Sequence, residues 1–188
     1  MAKVLIVGGA GYIGGTLTDQ LVDAGHETRV FDNLLFEERY LKPVDFVFGD
    51  VRDEATLKPH MAWADAVVWL VGLVGDGACS LYPKLTEELN IESVHWLARN
   101  FDRRIIFMST CSVYGAQDGM LTEDSPLNPL SLYARSKVEG EEILSDRAIY
   151  FRLGTLFGLG DTYSRIRLDL VLNLLTVKAF LYGRMSVY

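Results

Sequence analysis

Tyr133 and Lys137 stand four residues apart in Leu132-Tyr133-Ala134-Arg135-Ser136-Lys137, and a hydroxyl pair, Ser109-Thr110, closes an apolar run upstream. On a helix this spacing puts phenol and ammonium on one face. A phenol ionises near about pH 10, so at neutral pH it accepts a proton only where a neighbouring cation favours phenolate. Lysine one turn further on can supply that charge and make a general acid/base couple. The spacing alone is cheap in a chain with nine tyrosines, so its meaning depends on the elements that would hold it.

The strongest of those elements is N-terminal. Val4-Leu5-Ile6-Val7 is a continuous apolar run followed at once by Gly8-Gly9-Ala10-Gly11-Tyr12-Ile13-Gly14-Gly15, which reads as a buried strand turning into a helix. Glycines at 8, 11 and 14 allow a tight turn, backbone approach to a pyrophosphate and close helix packing on the sheet. The helix runs to a stop at Gly25. A second strand follows and ends in Asp32, where a carboxylate would hold a ribose diol. Strand, glycines, helix, strand and acid in this order point to a dinucleotide. Asp32 would repel a 2′-phosphate, and Asn33-Leu34-Leu35-Phe36 brings no arginine to offset it, so NAD is favoured over NADP.

Apolar runs and helical periods alternate along the rest of the chain. Strands are predicted at 3 to 7, 27 to 32, 44 to 48, 65 to 71, 103 to 109 and 148 to 153, with helices at 12 to 24, 53 to 60, 84 to 100 and 131 to 146. This is the alternation of an α/β fold with a doubly wound, Rossmann-like parallel sheet. Ligands of such sheets bind at the carboxyl ends of the strands. Gly8, Asp32, Asp50, Gly72 and Thr110 each follow or end a predicted strand, so they should line one crevice.

The composition is that of a compact domain: 188 residues, nearly half apolar, with a net charge of −7. The acidic balance argues against a nucleic-acid partner. Cys79 and Cys111 have no metal or disulfide spacing, and Cys111 reads as a small buried filler. His26, His60 and His95 are scattered without ligand spacing, so no metal is expected. No apolar stretch is long enough to predict a membrane span. The chain enters its first strand without a leader, which makes the cytoplasm the expected compartment.

At this point the chain resembles the extended short-chain dehydrogenase/reductases, the family of nucleotide-sugar epimerases and dehydratases. The resemblance rests on Gly8 to Gly14, Phe31-Asp32-Asn33-Leu34, Gly49-Asp50-Val51, Ser109 to Gly115, Asn128 to Lys137 and Phe151 to Gly158. It implies Tyr133 as acid/base, Lys137 as its activator and a ribose ligand, and Thr110 as the hydroxyl that hydrogen-bonds the reacting sugar oxygen. It places NAD on Gly8, Gly11, Tyr12, Ile13 and Gly14, and on Asp32, Asn33 and Leu34. Asp50 and Val51 would meet the adenine, Leu70, Val71 and Gly72 would border the cofactor, and Asn90 would stand near the active site. The implied partner is a nucleotide-sugar, and pairing into a homodimer through the helix of Tyr133 and Lys137 is compatible with the family pattern.

The implied reaction is epimerisation: hydride passes to NAD, a keto-sugar forms, and the hydride returns to its other face. Elimination in this family usually needs an acid within two positions after Thr110, and Cys111 and Ser112 stand there instead. An NAD-dependent reductase or dehydratase remains the first alternative, and a non-catalytic NAD-binding protein acting in regulation or assembly the second. Trp69 and Thr155 depart from the family pattern. The former could narrow the cofactor pocket or repack its strand.

Residues 1–160 read as the NAD-binding domain and 161–188 as the start of a substrate-binding region that the resemblance implies is incomplete. Within that start, 165–175 reads as a helix apolar almost all round, from which Arg165 and Arg167 could reach substrate phosphates as a minority reading, and 185–188 as entry into a strand. Two further readings are simple. The loop from Gly72 to Gly77 is no second phosphate cradle, because no helix start follows it. Glu139, Glu141 and Glu142 mark a solvated helix face.

Overall fold

The computed structural model describes residues 1–164 and 166–185. Among them, β1 (Lys3–Val7), β2 (Glu27–Asp32), β3 (Asp45–Phe48), β4 (Ala66–Trp69), β5 (Arg104–Thr110) and β6 (Ala148–Leu153) form one sheet, ordered β3-β2-β1-β4-β5-β6. Every pairing is parallel. The order reverses between β1 and β4, which opens a crevice at the carboxyl ends of those two strands. In register, Val7 stands opposite both Phe31 and Trp69, so the first glycine loop and the loop after Trp69 leave the sheet side by side.

Alternation along the strands builds two unequal cores. Leu5, Val7, Phe31, Val67, Trp69, Ile105 and Phe107 face one side. There they pack on α2 (Glu54–Trp63), on α5 (Ser93–Asn100) and on α6 (Leu132–Leu144), through Leu57, Leu97 and Leu144. Val4, Ile6, Val30 and Val68 face the other side against Leu17 and Leu21 of α1 (Tyr12–Asp23). Beyond α1 this second face is a groove of about 880 Å³. Trp69 is fully buried in the larger core, so its bulk repacks the strand and does not narrow the crevice.

The predicted helix at 84 to 100 is built in pieces: α4 (Pro83–Glu87), a π-helical turn at Glu88–Glu92, then α5. A short α3 (Asp76–Leu81) precedes them, starting directly after Gly75. The expectation of no helix start after the Gly72 loop is therefore corrected, because Gly75 adopts φ +89 and turns the chain into the helix. With six residues, α3 is too short to present a strong dipole to an anion.

The predicted 165–175 helix is displaced: α7 spans Val171–Tyr182 and holds no buried residue. Asn173 explains the late start. Its Nδ2 donates to Arg167 O at 2.8 Å and to Gly158 O at 3.0 Å, so its amide ties down the non-helical chain before α7. Arg165 and the strand entry expected at 185–188, from Ser186 on, lie outside the described residues. Among the described residues no helix is long and apolar enough to cross a membrane, and no cluster of three metal-ligating side chains occurs.

Candidate active site

The glycine loop forms because other side chains cannot fit there. Gly8 has φ +81, and a Cβ on it would come within 2.9 Å of Val71 N; one on Gly14 would come within 2.2 Å of Gly9 O. Gly11 caps α1 with no side-chain hydrogen bond, which leaves first-turn N–H groups available to an anion. A cavity of about 180 Å³ lies over this turn. Its wall includes Gly8, Gly11, Tyr12, Ile13 and Gly14, then Asp32, Asn33 and Leu34, then Val51, Leu70, Val71 and Gly72. The structure thus gathers in one place twelve residues that the sequence assigns to the cofactor.

Asp32 is oriented by the backbone. Its carboxylate accepts from Ala10 N at 3.0 Å and from Leu34 N at 2.7 Å. Burial pushes its carboxyl up, and the Leu34 and Ala10 N–H groups pull the other way. Leu34 is held in the left-handed region at φ +54, a strained conformation for leucine, so the turn after β2 is shaped around the Asp32 carboxylate.

Asp50 and Asn90 do not line this cavity. Asp50 accepts from Arg52 Nη2 at 2.8 Å and from Asn33 Nδ2 at 2.9 Å, and those hydrogen bonds, led by Arg52, hold its carboxyl well below the usual range. It anchors Asn33, while Val51 lines the cavity. Asn90, in the π-helical turn, is 1% exposed. Its Oδ1 accepts from Leu73 N at 2.8 Å, and its Nδ2 donates to Leu73 O and to Ser136 Oγ, both at 3.0 Å. The amide fastens the loop after β4 to α6 and touches no open space.

Tyr133, Lys137 and Thr110 are not among the residues that line this cavity, but Lys137 lies directly behind its wall. A Cβ on Gly72 would lie 3.3 Å from Lys137 Nζ and 3.1 Å from Asn90 Oδ1, so the ammonium sits behind a cavity wall. Thr110 is 8% exposed, and its hydroxyl donates to Ser112 Oγ and accepts from Ser112 N, each at 3.2 Å. Cys111 opens a 3-10 turn, Cys111–Tyr114, at the end of β5 and is exposed. It is not the buried filler expected from its size, because the turn carries it out of the sheet.

The electrostatics correct the simple picture of a phenol lowered by its lysine. Burial raises the Tyr133 phenol, and the influences that pull it down are the Thr110 hydroxyl and the Arg167 charge. Burial also lowers Lys137, to about 8. Its Nζ lies 4.9 Å from the centre of the Phe107 ring, an apolar bed that weakens its hold on a proton. Between about pH 8 and 10.5 the unfolded chain keeps that proton while the native chain sheds it. Stability therefore rises with pH in this window. The stability of wild type minus that of Lys137→Met, from urea melts at several pH values, is expected to climb by up to about 3 kcal/mol from pH 8 to 10.5; a flat difference would remove the buried-lysine account.

Two residues that sequence reasoning missed or misplaced also shape the site. Lys42 has a side chain 1% exposed, and its Nζ reaches Asp19 at 2.7 Å, Asp161 at 2.6 Å and Gly15 O at 2.7 Å. It pins the segment after β6 onto α1. No local pattern marks it, because its partners come from α1 and from beyond β6. Arg167 lines the same cavity as the glycine turn.

A doubly wound parallel sheet, a glycine turn under a cavity at the switch point and a carboxylate after β2 define a Rossmann-type nucleotide-binding domain. The chain matches the NAD dependent epimerase/dehydratase family over residues 4–183, and it belongs to that family. It is 31% identical over 163 residues to a UDP-glucose 4-epimerase of Neisseria meningitidis serogroup C, covering 78% of this chain and 48% of that protein. Among solved structures it resembles UDP-glucose 4-epimerase from Brucella ovis in complex with NAD, with 28% identity and a TM-score of 0.74, over 80% of this chain and 51% of that one. It also resembles TunA, an NAD-dependent NDP-hexosamine 5,6-dehydratase of tunicamycin biosynthesis, with 27% identity and a TM-score of 0.80, over 100% of this chain and 64% of that one. The chain spans about half the length of the curated relatives it matches.

Proposed function

We propose that this chain carries the cofactor and proton-transfer half of an NAD-dependent nucleotide-sugar epimerase, with residues 1–160 as the NAD-binding domain and 161–188 beginning the substrate-binding region. The observation that carries this reading is a cavity walled by the glycine turn and Asp32, with the Lys137 ammonium directly behind the wall at Gly72. That cradle suits a dinucleotide: Gly8 and Gly14 let the turn pack directly on the backbone of Val71 and Gly9, where a Cβ would clash, and Asp32 lines the same cavity.

When bound, NAD would supply a reversible hydride acceptor and, oxidised, a positive charge beside Tyr133. The work of this chain's residues is protonic. Tyr133 takes the proton from the sugar hydroxyl as the carbon loses hydride, and gives it back as the keto-sugar is reduced on the other face. Its raised phenol suits the second step, and added positive charge in the crevice enables the first. Thr110 donates a hydrogen bond to the oxygen as its charge changes, and Lys137, directly behind the wall at Gly72, is the ribose ligand of this reading.

Dehydration is the second reading, supported by the likeness to TunA. Cys111 and Ser112 after Thr110 offer no carboxylate for a proton shuttle, which favours inversion. Incubating the full chain with NAD and UDP-glucose, then analysing by NMR and mass spectrometry, separates these outcomes. An epimer of unchanged mass supports the proposal, loss of water supports dehydration, and failure to bind NAD refutes both. The proposal also includes a cytoplasmic setting, a homodimer through α6, and no nucleic-acid partner.

Asp32 sets the choice between NAD and NADP in this reading. Asp32→Ala is expected to weaken NAD binding by about tenfold and to narrow the preference over NADP, because it removes both the diol acceptor and the repulsion of a 2′-phosphate. Titration of both cofactors by calorimetry checks it; unchanged preference would refute the role.

A further inference from the structure

Arg167 lies outside the glycine motif, yet it enters the same cavity as Gly11, Tyr12 and Ile13. It arrives there by construction. The segment after β6 is tied back at two points, where Tyr12 Oη donates to Gly158 O at 2.7 Å and Lys42 holds Asp161 at 2.6 Å, and it is braced within itself by Asn173 Nδ2 on Arg167 O at 2.8 Å. The first tie comes from the opening residue of α1 itself.

The guanidinium is oriented as well as placed. Its Nε and Nη2 donate to Asp169 at 2.8 and 2.6 Å, and its side chain is 19% exposed. Among the described residues Nη1 has no hydrogen-bond partner. The charge of Arg167 acts on Tyr133, and its own environment includes the Tyr12 and Tyr133 phenols. A fixed cation with a spare N–H edge, facing a helix N-terminus across a small cavity, is suited to an anion held between them.

We propose that Arg167 is a ligand of the cofactor diphosphate, closing over it from the side opposite the N-terminus of α1. This rests on the reading of the cavity as an NAD site and adds a residue to it from outside the Rossmann motif. The ion pair with Asp169 presents the free edge of the guanidinium, and the Lys42, Tyr12 and Asn173 ties hold the strap that carries it. Gly15 belongs to the same device: a Cβ there would come within 2.1 Å of Asp161 Oδ2, against a carboxylate that Lys42 holds in place.

The test compares adenosine, ADP and NAD binding to the full chain by calorimetry, in wild type, R167Q and R167K. Adenosine lacks the diphosphate, so R167Q is expected to leave its affinity within about twofold while weakening ADP and NAD by about tenfold or more. R167K, keeping the charge but not the fork, is expected to fall between. An ADP-to-adenosine affinity ratio equal to wild type in both variants overturns the assignment, as does an equal loss for adenosine and ADP. Failure of the wild-type chain to bind ADP or NAD would instead overturn the cofactor reading itself.

Discussion

Replacing Tyr133 with phenylalanine is expected to slow hydride transfer by about 10²–10⁴-fold while NAD affinity stays within about twofold. The substitution deletes one hydroxyl and keeps the ring, so packing on α6 survives. Tyr133 does not contribute to the wall of the glycine-lined cavity, which is why little binding should be lost. What is lost is the only step the phenol is asked to perform, moving the proton between the sugar oxygen and the protein. Single-turnover reduction of NAD at saturating nucleotide-sugar, followed by absorbance, reads the effect directly. A variant as fast as wild type would end the acid/base role of Tyr133, and a variant that no longer bound NAD would place the residue in the cofactor site instead.

The largest stability effect is expected at Glu141. Its carboxylate receives Arg152 Nη2 at 2.6 Å and Arg152 Nε at 3.1 Å, and Ser109 Oγ donates to it as well. The two ionic side chains are only 9% and 20% exposed. Glu141→Ala would leave an arginine desolvated with one side of its fork unpaired, a change that costs about 3 kcal/mol or more when a buried pair is broken from one end. At about 2–4 °C per kcal/mol for a chain of this size, the midpoint should fall by about 10 °C. Arg152 keeps Tyr114 Oη and Glu123 O as acceptors, at 3.0 and 2.9 Å, so the chain should still fold. Glu141→Gln, which keeps the shape and an acceptor, should lose less than half as much. A midpoint within about 2 °C of wild type in the alanine variant would show that the pair contributes nothing.

Glu141 also marks where reading the sequence went astray. With Glu139 and Glu142 it looks like part of a charged, solvated face. It lies one turn beyond Lys137 and two beyond Tyr133, so helical geometry turns it towards β5 and β6, where Arg152 waits. The neighbouring glutamates are exposed. The spacing was visible in the chain; the partner on β6 was not. Asn90 is a similar case in reverse: its importance was legible, but its amide serves the loop at Leu73 and Ser136 and not the ligand space.

The strand positions, the glycine turn, the acid at Asp32 and the one-turn spacing of Tyr133 and Lys137 were determined by the sequence alone. Each depends on local rules: alternation and apolar runs, the room a missing Cβ leaves, and the period of a helix. The tertiary structure decided matters of environment and distant pairing. It buried Lys137 on Phe107 and lowered its affinity for a proton, and it raised the Tyr133 phenol. It joined Lys42 to Asp19 and Asp161, and it carried Arg167 into the cofactor-side cavity. Charges respond to what surrounds them in space, and those neighbours come from elements far apart in the chain.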